Sequence, residues 1–117
     1  MLIHRPAQPP YVLHVQCEPV DDAEFHKFYE EEHLDMLRKV PGYRRAQRYE
    51  LVNHMRGDVQ PVPRFLVIHE FNSLDALDGP ELKAANSTPL VAKVFGNAKA
   101  ANVRGFECVG GMGYVDS

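Results

Sequence analysis

The fold follows most directly from residues 25–37, which read FHKFYEEEHLDML. In and just beyond this stretch, mostly apolar residues recur every three or four positions, the spacing at which side chains share one side of an α-helix. Asp21 and Glu24 have the spacing of an N-terminal capping box, and the Pro-Gly pair at 41–42 ends the helix at Val40. We therefore predict a helix from Asp21 to Val40, with one side facing the core. That side carries Phe25, Phe28, Tyr29, Glu32, His33, Met36, Leu37 and Val40.

Four segments around this helix have the composition and length of β-strands. They are residues 11–17, 43–51, 65–71 and 103–109. Between the last two, Ser73 can cap a short helix through Leu77, and a second helical piece begins near Glu81 with a fresh cap near Ser87. The element order is therefore β-α-β-β-α-β.

This order is the split βαβ plan, an α+β fold with a four-stranded antiparallel sheet and both helical regions on one face. The usual strand order 4-1-3-2 makes the first and third strands central neighbours, and we expect these two to run parallel. In the second strand we expect the face with Arg44, Ala46, Arg48 and Glu50 to be solvated. The first and third strands are apolar on both faces, so the uncovered face of the sheet predicts a homodimer.

Composition restricts the classes of function. The 117 residues suit a single domain over residues 11–117, preceded by an extended arm over residues 1–10. The formal charge is -3 and the basic residues do not form a block, so we expect no nucleic-acid partner. The arm has no sustained apolar run, which predicts neither a secretion signal nor a membrane partner. Cys17 and Cys108 fall in predicted strands, which favours buried reduced thiols and a cytoplasmic location.

The core-facing side of the first helix is interrupted by a titratable residue, His33. Tyr29 lies four residues earlier, so the phenol and the imidazole share a neighbourhood on the helix. Histidine titrates near neutrality and can take a proton from a phenol or an activated carbon and return it. The alternative is a structural histidine whose ring only satisfies a polar position in the core.

Further candidate residues lie on the strands. His14 and His69 interrupt the first and third strands, and either could reach a common pocket or lie at the dimer interface. Arg45 could bind a substrate carboxylate or form a salt bridge at the dimer interface. The histidines lack the local spacings of a metal cage, so we predict no metal site.

The quoted stretch, together with Pro41-Gly42-Tyr43 and Arg48-Tyr49, resembles the EthD-like branch of the dimeric α+β barrel superfamily. Members have the pattern F-x-x-W/Y-Y-x-x-x-H-x-P, then Pro-Gly and an Arg-Tyr strand. Here Tyr29 and His33 fill two of those places, and residues 65–77 resemble the third strand and the helix start after it. The chain departs from the pattern at Asp35, where many members have proline.

This resemblance implies a ferredoxin-like, dimeric α+β barrel and an enzyme without a cofactor that acts on an aromatic or polyketide-like molecule. Our leading hypothesis is a lyase or isomerase, preferably a decarboxylase. The alternatives are a monooxygenase on phenols, either cofactor-free or haem-assisted, and a non-catalytic binding or assembly protein. The implied catalytic residues are His33, Tyr29 and His69. The candidate substrate-binding residues are His14, Arg45, Tyr49 and Phe25.

Overall fold

The computed structural model describes residues 10–57 and 62–111, so nearly all of the predicted arm lies outside the described residues. The elements follow the predicted β-α-β-β-α-β order. They are β1 (Tyr11–Glu18), α1 (Asp22–Phe28), a π-helical turn (Tyr29–His33), α2 (Leu34–Leu37), β2 (Tyr43–Glu50), β3 (Phe65–Phe71), a 3-10 turn (Leu74–Asp78), α3 (Pro80–Ala85), α4 (Pro89–Gly96) and β4 (Ala100–Glu107).

The four strands form one sheet in the order β2-β3-β1-β4, and every neighbouring pair is antiparallel. The predicted α+β, ferredoxin-like fold is thereby confirmed. The expectation that β1 and β3 run parallel was wrong: the first helical crossover returns the chain so that β2 runs with β1, and the β2-β3 hairpin then reverses it. β4 begins at Ala100, three residues before the predicted start, because its ladder with β1 continues to Glu18.

A β-bulge reverses the predicted faces of β2. Tyr43 pairs with Phe71, and the next residue in register is Arg45 opposite Glu70, so the alternation shifts by one position. From there on Ala46 and Arg48 turn toward the helices and are partly buried, whereas Arg45, Gln47 and Tyr49 are exposed. Of the four residues predicted to be solvated, Ala46 and Arg48 therefore lie on the covered face, whereas Arg44 and Glu50 are exposed as predicted.

The first helical region begins as predicted, with Asp21 accepting a hydrogen bond from the Glu24 amide at 3.1 Å. It contains a π turn and ends at Leu37, three residues before the predicted end. In the second crossover, Ser73 caps the 3-10 turn and Thr88, one residue after the predicted cap, accepts from the Val91 amide at 3.2 Å.

The core lies between the helices and one face of the sheet, in two apolar clusters. One is centred on Phe25, Phe28 and Tyr29, and the other on Leu37, Phe71 and Leu82. Both cysteines are free, but Cys108 is exposed, contrary to prediction, because it follows directly on β4, an edge strand whose residues are nearly all exposed. Within the described ranges, no helix has both the length and the apolar character needed to cross a bilayer.

Candidate functional site

A cavity of about 500 Å³ lies between the helical layer and the β1-β4 side of the sheet. Its walls are mostly aliphatic and aromatic, and the polar residues that line it are two histidines and two asparagines. Among the described residues, no lysine, arginine, aspartate or glutamate lines it. Such a cavity suits an uncharged, largely apolar organic molecule. The lining comprises Leu13, Val15, His33, Leu37, His69, Phe71, Leu82, Asn86, Val91, Phe95, Ala101, Asn102 and Val103.

His33 reaches this cavity from the last position of the π turn. Short π turns within helices are frequent at functional sites. The imidazole is 5% exposed and stacks on Phe28 with 4.8 Å between ring centroids. Its Nδ1 atom is buried and has no hydrogen-bond partner among the described residues. Burial lowers the pKa of His33 to about 4, partly opposed by a hydrogen bond with the Ala85 backbone, so the ring is neutral at neutral pH.

His69 faces the same cavity from β3. Its cross-strand partners are Leu13 and Ala46, and all three project toward the helices. The His69 ring is 2% exposed, and its centroid lies 6.1 Å from that of His33, with the two planes at 80°. Burial, followed by the nearby His33, lowers the pKa of His69 to about 3. The cavity is thus lined by two neutral imidazoles.

Tyr29 lies beside both histidines, with its ring centroid 5.3 Å from that of His33 and 6.2 Å from that of His69. It is 1% exposed and belongs to the core rather than to the cavity lining. Burial raises the pKa of its phenol, which therefore stays protonated. The structure therefore brings Tyr29 together with His33 and His69 as one cluster.

The four candidate substrate-binding residues lie elsewhere. Phe25 is buried in the core and stacks on Phe65 at 5.2 Å, away from the cavity lining. His14 lies on the uncovered face of the sheet beside Phe106, with 5.4 Å between ring centroids. Arg45 donates from Nε to Glu70 at 2.6 Å, and Tyr49 donates to Gln47.

Four polar residues at or near the site were missed from the sequence. Asn86, the C-terminal cap of α3, and Asn102 of β4 line the cavity. Tyr43 places its hydroxyl 3.4 Å from His69 Nδ1. Arg48 was predicted to lie on a solvated face, but its guanidinium carbon is 5.0 Å from the centre of the Tyr29 ring. It also lines a separate cleft of about 330 Å³. Simple alternation along β2 predicts that Arg48 points to solvent, but the bulge shifts the alternation by one residue and turns Arg48 toward the helices.

The fold is similar to that of several solved structures, whereas no protein-family profile matches the sequence and no curated protein shows significant sequence similarity to it. An ethyl tert-butyl ether D (EthD) family protein from Bacillus halodurans C-125 superposes with a TM-score of 0.63, at 18% identity over 93% of this chain and 100% of that one. The haem degrader MhuD from Mycobacterium tuberculosis, with two haems bound in its active site, gives 0.59, at 21% identity over 89% and 100%.

A mutant of SnoaB from Streptomyces nogalater, a cofactor-independent oxygenase, gives a TM-score of 0.54 at 13% identity over 85% of this chain and 91% of that one. A dimeric ferredoxin-like protein from Jannaschia sp. CCS1 gives 0.56 at 15% identity over 84% and 98%. At these identities the likeness is one of fold. It confirms, at that level, the resemblance to EthD-like proteins.

Proposed function

We propose that this protein is an enzyme that uses His33 as a general base to remove a proton from a small phenol or enolisable ketone. The resulting anion then reacts with molecular oxygen without a bound cofactor. The observation that carries the proposal is the position of His33, a neutral imidazole that lines an otherwise largely apolar cavity. A neutral imidazole accepts a proton, and a positioned general base contributes roughly 10²- to 10⁴-fold to such a step.

The chemistry of the cavity supports a neutral substrate. None of the described lining residues carries a full charge, so a carboxylate in the cavity would lack a cationic partner there. Arg45, the predicted carboxylate anchor, pairs with Glu70 on the other face of the sheet. These points favour the oxygenase alternative over the decarboxylase that the sequence analysis preferred, and the fold shared with SnoaB is consistent with that choice.

The proposed oxygenation is balanced in atoms and electrons when the substrate carries an activated methylene group. His33 takes one proton, the carbanion gives its electrons to O₂, and the net change is CH₂ to C=O, with one O₂ consumed and one water released. The two imidazoles and the apolar walls would hold the substrate and limit side reactions with water.

The haem-assisted alternative receives less support from the cavity. An imidazole can ligate haem iron, and His33 and His69 supply that chemistry. Haem also carries two propionate groups, and none of the described residues lining the cavity is a lysine or arginine that could pair with them. The residues therefore do not fit haem well, and we assign no step to it. The haems bound to MhuD are a property of that protein.

Oxygen uptake tests the proposal. Metal-free protein is screened against electron-rich phenols and enolisable polycyclic ketones in an oxygen electrode, with carbon dioxide release measured in parallel. We expect oxygen consumption that falls at least about 100-fold in His33→Ala. The matched control is His54→Ala, which changes a histidine in an exposed loop and should keep the wild-type rate.

Three outcomes contradict this function. Full turnover in His33→Ala removes His33 as the base. Carbon dioxide release without oxygen uptake favours the decarboxylase. Tight ligand binding with no turnover of any compound favours the non-catalytic binding protein.

We also propose that the chain forms a homodimer through the uncovered face of the sheet. That face carries Phe106 and Tyr49, which are 48% and 46% exposed, beside His14, Leu66 and Ile68. Light scattering at micromolar concentration should give twice the chain mass of 13.3 kDa. Phe106→Glu should shift the mass toward that of one chain, whereas a wild-type mass of one chain would exclude the dimer.

A further inference from the structure

Tyr43 is held against His69 by the backbone that precedes it. Gly42 has φ of +84°, and a Cβ there would lie 3.3 Å from the Cβ of Ala76, so the turn requires glycine. The β-bulge that follows lets Tyr43 project toward the helices, where its ring packs on Phe71 with 5.3 Å between centroids. The Tyr43 hydroxyl then lies 3.4 Å from Nδ1 of His69.

The direction of this hydrogen bond follows from the two groups. Burial raises the pKa of Tyr43 to about 12, so the phenol keeps its proton. A phenol is a good donor and a weak acceptor, because its oxygen lone pairs are delocalised into the ring, whereas the unprotonated nitrogen of a neutral imidazole is a good acceptor. Tyr43 therefore donates to His69 Nδ1, and the imidazole proton resides on Nε2.

We propose that Tyr43 is a positioning residue that fixes His69 as the Nε2–H tautomer, making His69 the hydrogen-bond donor to the substrate oxygen while His33 acts as the base. This inference rests on the proposed function and names the substrate class more closely. The substrate carries an acidic C–H next to a carbonyl carbon, as in an enolisable polycyclic ketone.

The proton-transfer step balances within the site. His33 takes the proton of the C–H bond, the electron pair of that bond forms a C=C bond, and the carbonyl electrons move to oxygen. The enolate oxygen accepts the hydrogen bond from Nε2–H of His69. A donor already in place in a largely apolar cavity stabilises the developing negative charge without having to reorganise.

Nitrogen NMR of protein labelled with ¹⁵N-histidine tests the tautomer without any substrate. The signals are assigned with His33→Gln and His69→Gln, and long-range ¹H–¹⁵N correlations are recorded at about pH 7.5. We expect His69 in the wild type to show a protonated Nε2 and an unprotonated Nδ1. In Tyr43→Phe the loss of one donor should shift the tautomer ratio of His69 about tenfold toward Nδ1–H.

Tyr49→Phe is the matched control, because it removes a phenol hydroxyl from the same strand on the exposed face. It should leave the His69 tautomer unchanged. A wild-type His69 protonated on Nδ1, or a Tyr43→Phe spectrum identical to that of the wild type, would overturn the assignment.

Turnover separates this inference from the proposed function. On a ketone found in the oxygen-uptake screen, Tyr43→Phe should lower kcat about tenfold and leave KM within about twofold, since the hydrogen bond to the oxyanion strengthens in the transition state. An unchanged kcat would overturn the donor role of His69. If the tautomer result holds but no ketone or phenol is turned over, the Tyr43 assignment stands and the proposed function fails.

Discussion

His69 and Glu70 are neighbours on β3 and are almost equally buried, at 2% and 5% exposure. They lie on opposite faces of the sheet, and only one of them has a charged partner there. Glu70 points to the uncovered face and is paired with Arg45 at 2.6 Å. His69 points to the helices, where its neighbours are Tyr29, His33 and Tyr43 and none of them is a charged partner. One face therefore buries a charge with its counterion, and the other buries a base that must stay neutral.

The difference between these two buried residues indicates which of them can still interact with a ligand. A buried ion pair is already satisfied and has little capacity left for a ligand. A buried neutral imidazole without a counterion keeps a free acceptor, and its protonation becomes costly unless a substrate supplies a compensating negative charge. The helix-covered face thus holds the neutral imidazoles, whereas the uncovered face holds the ion pair and the proposed dimer interface.

The largest effect that we expect from the buried neutral histidines is a dependence of the free energy of unfolding on pH. The folded-state pKa values of His33 and His69 lie at about 4 and about 3, below their ordinary value of 6.5, so below about pH 6.5 the unfolded chain binds protons that the native chain does not. Stability is therefore full above that pH and falls as the pH falls. We expect urea unfolding to show a loss of about 4 kcal/mol between pH 7 and pH 5.

His33→Gln sharpens this test, because it removes one of the two groups and should reduce the slope of stability against pH by about half. His54→Gln changes an exposed histidine and should retain the wild-type slope. A His33→Gln slope equal to that of the wild type would show that His33 binds protons equally in the native and unfolded states, which contradicts its lowered pKa.

The next largest effect is expected from the other face. Arg45→Met removes the cation and leaves the Glu70 carboxylate buried without its partner, which is the costly way to break such a pair. We expect the Tm to fall on the order of 5 °C at neutral pH. Arg45→Lys keeps a cation at this position and should lose less. A loss in Arg45→Lys equal to that in Arg45→Met would assign the effect to the packing of the Arg45 side chain instead.

The sequence predicted well those features that depend on local patterns. Periodicity identified the helix and the inward side of His33, and the apolar run of β3 gave its bounds, Phe65–Phe71, without error. Features that depend on the pairing between strands were harder to predict from the sequence. β3 is apolar on both faces, so alternation alone could not tell which face His69 takes, and only its register with Leu13 and Ala46 decides it.

The bulge in β2 shows the same limit more clearly. One additional residue after Tyr43 places Ala46 and Arg48 on the covered face instead of the predicted solvated one. No residue type in this segment predicts a bulge. The contact between Tyr43 and His69 joins residues 26 positions apart and depends on that same bulge. The sequence therefore predicted that Tyr29 and His33 lie close together on the helix, but it did not predict that Tyr43 of β2 joins them.

The smallest expected effect comes from the reverse substitution at the ion pair, Glu70→Gln. A neutral amide of the same shape can still accept from Arg45 Nε, and the guanidinium it leaves behind is 62% exposed and remains hydrated. We expect the Tm to change by about 2 °C or less, in contrast to Arg45→Met. This asymmetry follows only if Glu70 is the buried member that needs a partner. Equal losses in the two variants, measured side by side by calorimetry, would mean that the pair is no more than a surface contact and that the two faces of β3 do not differ in the way described.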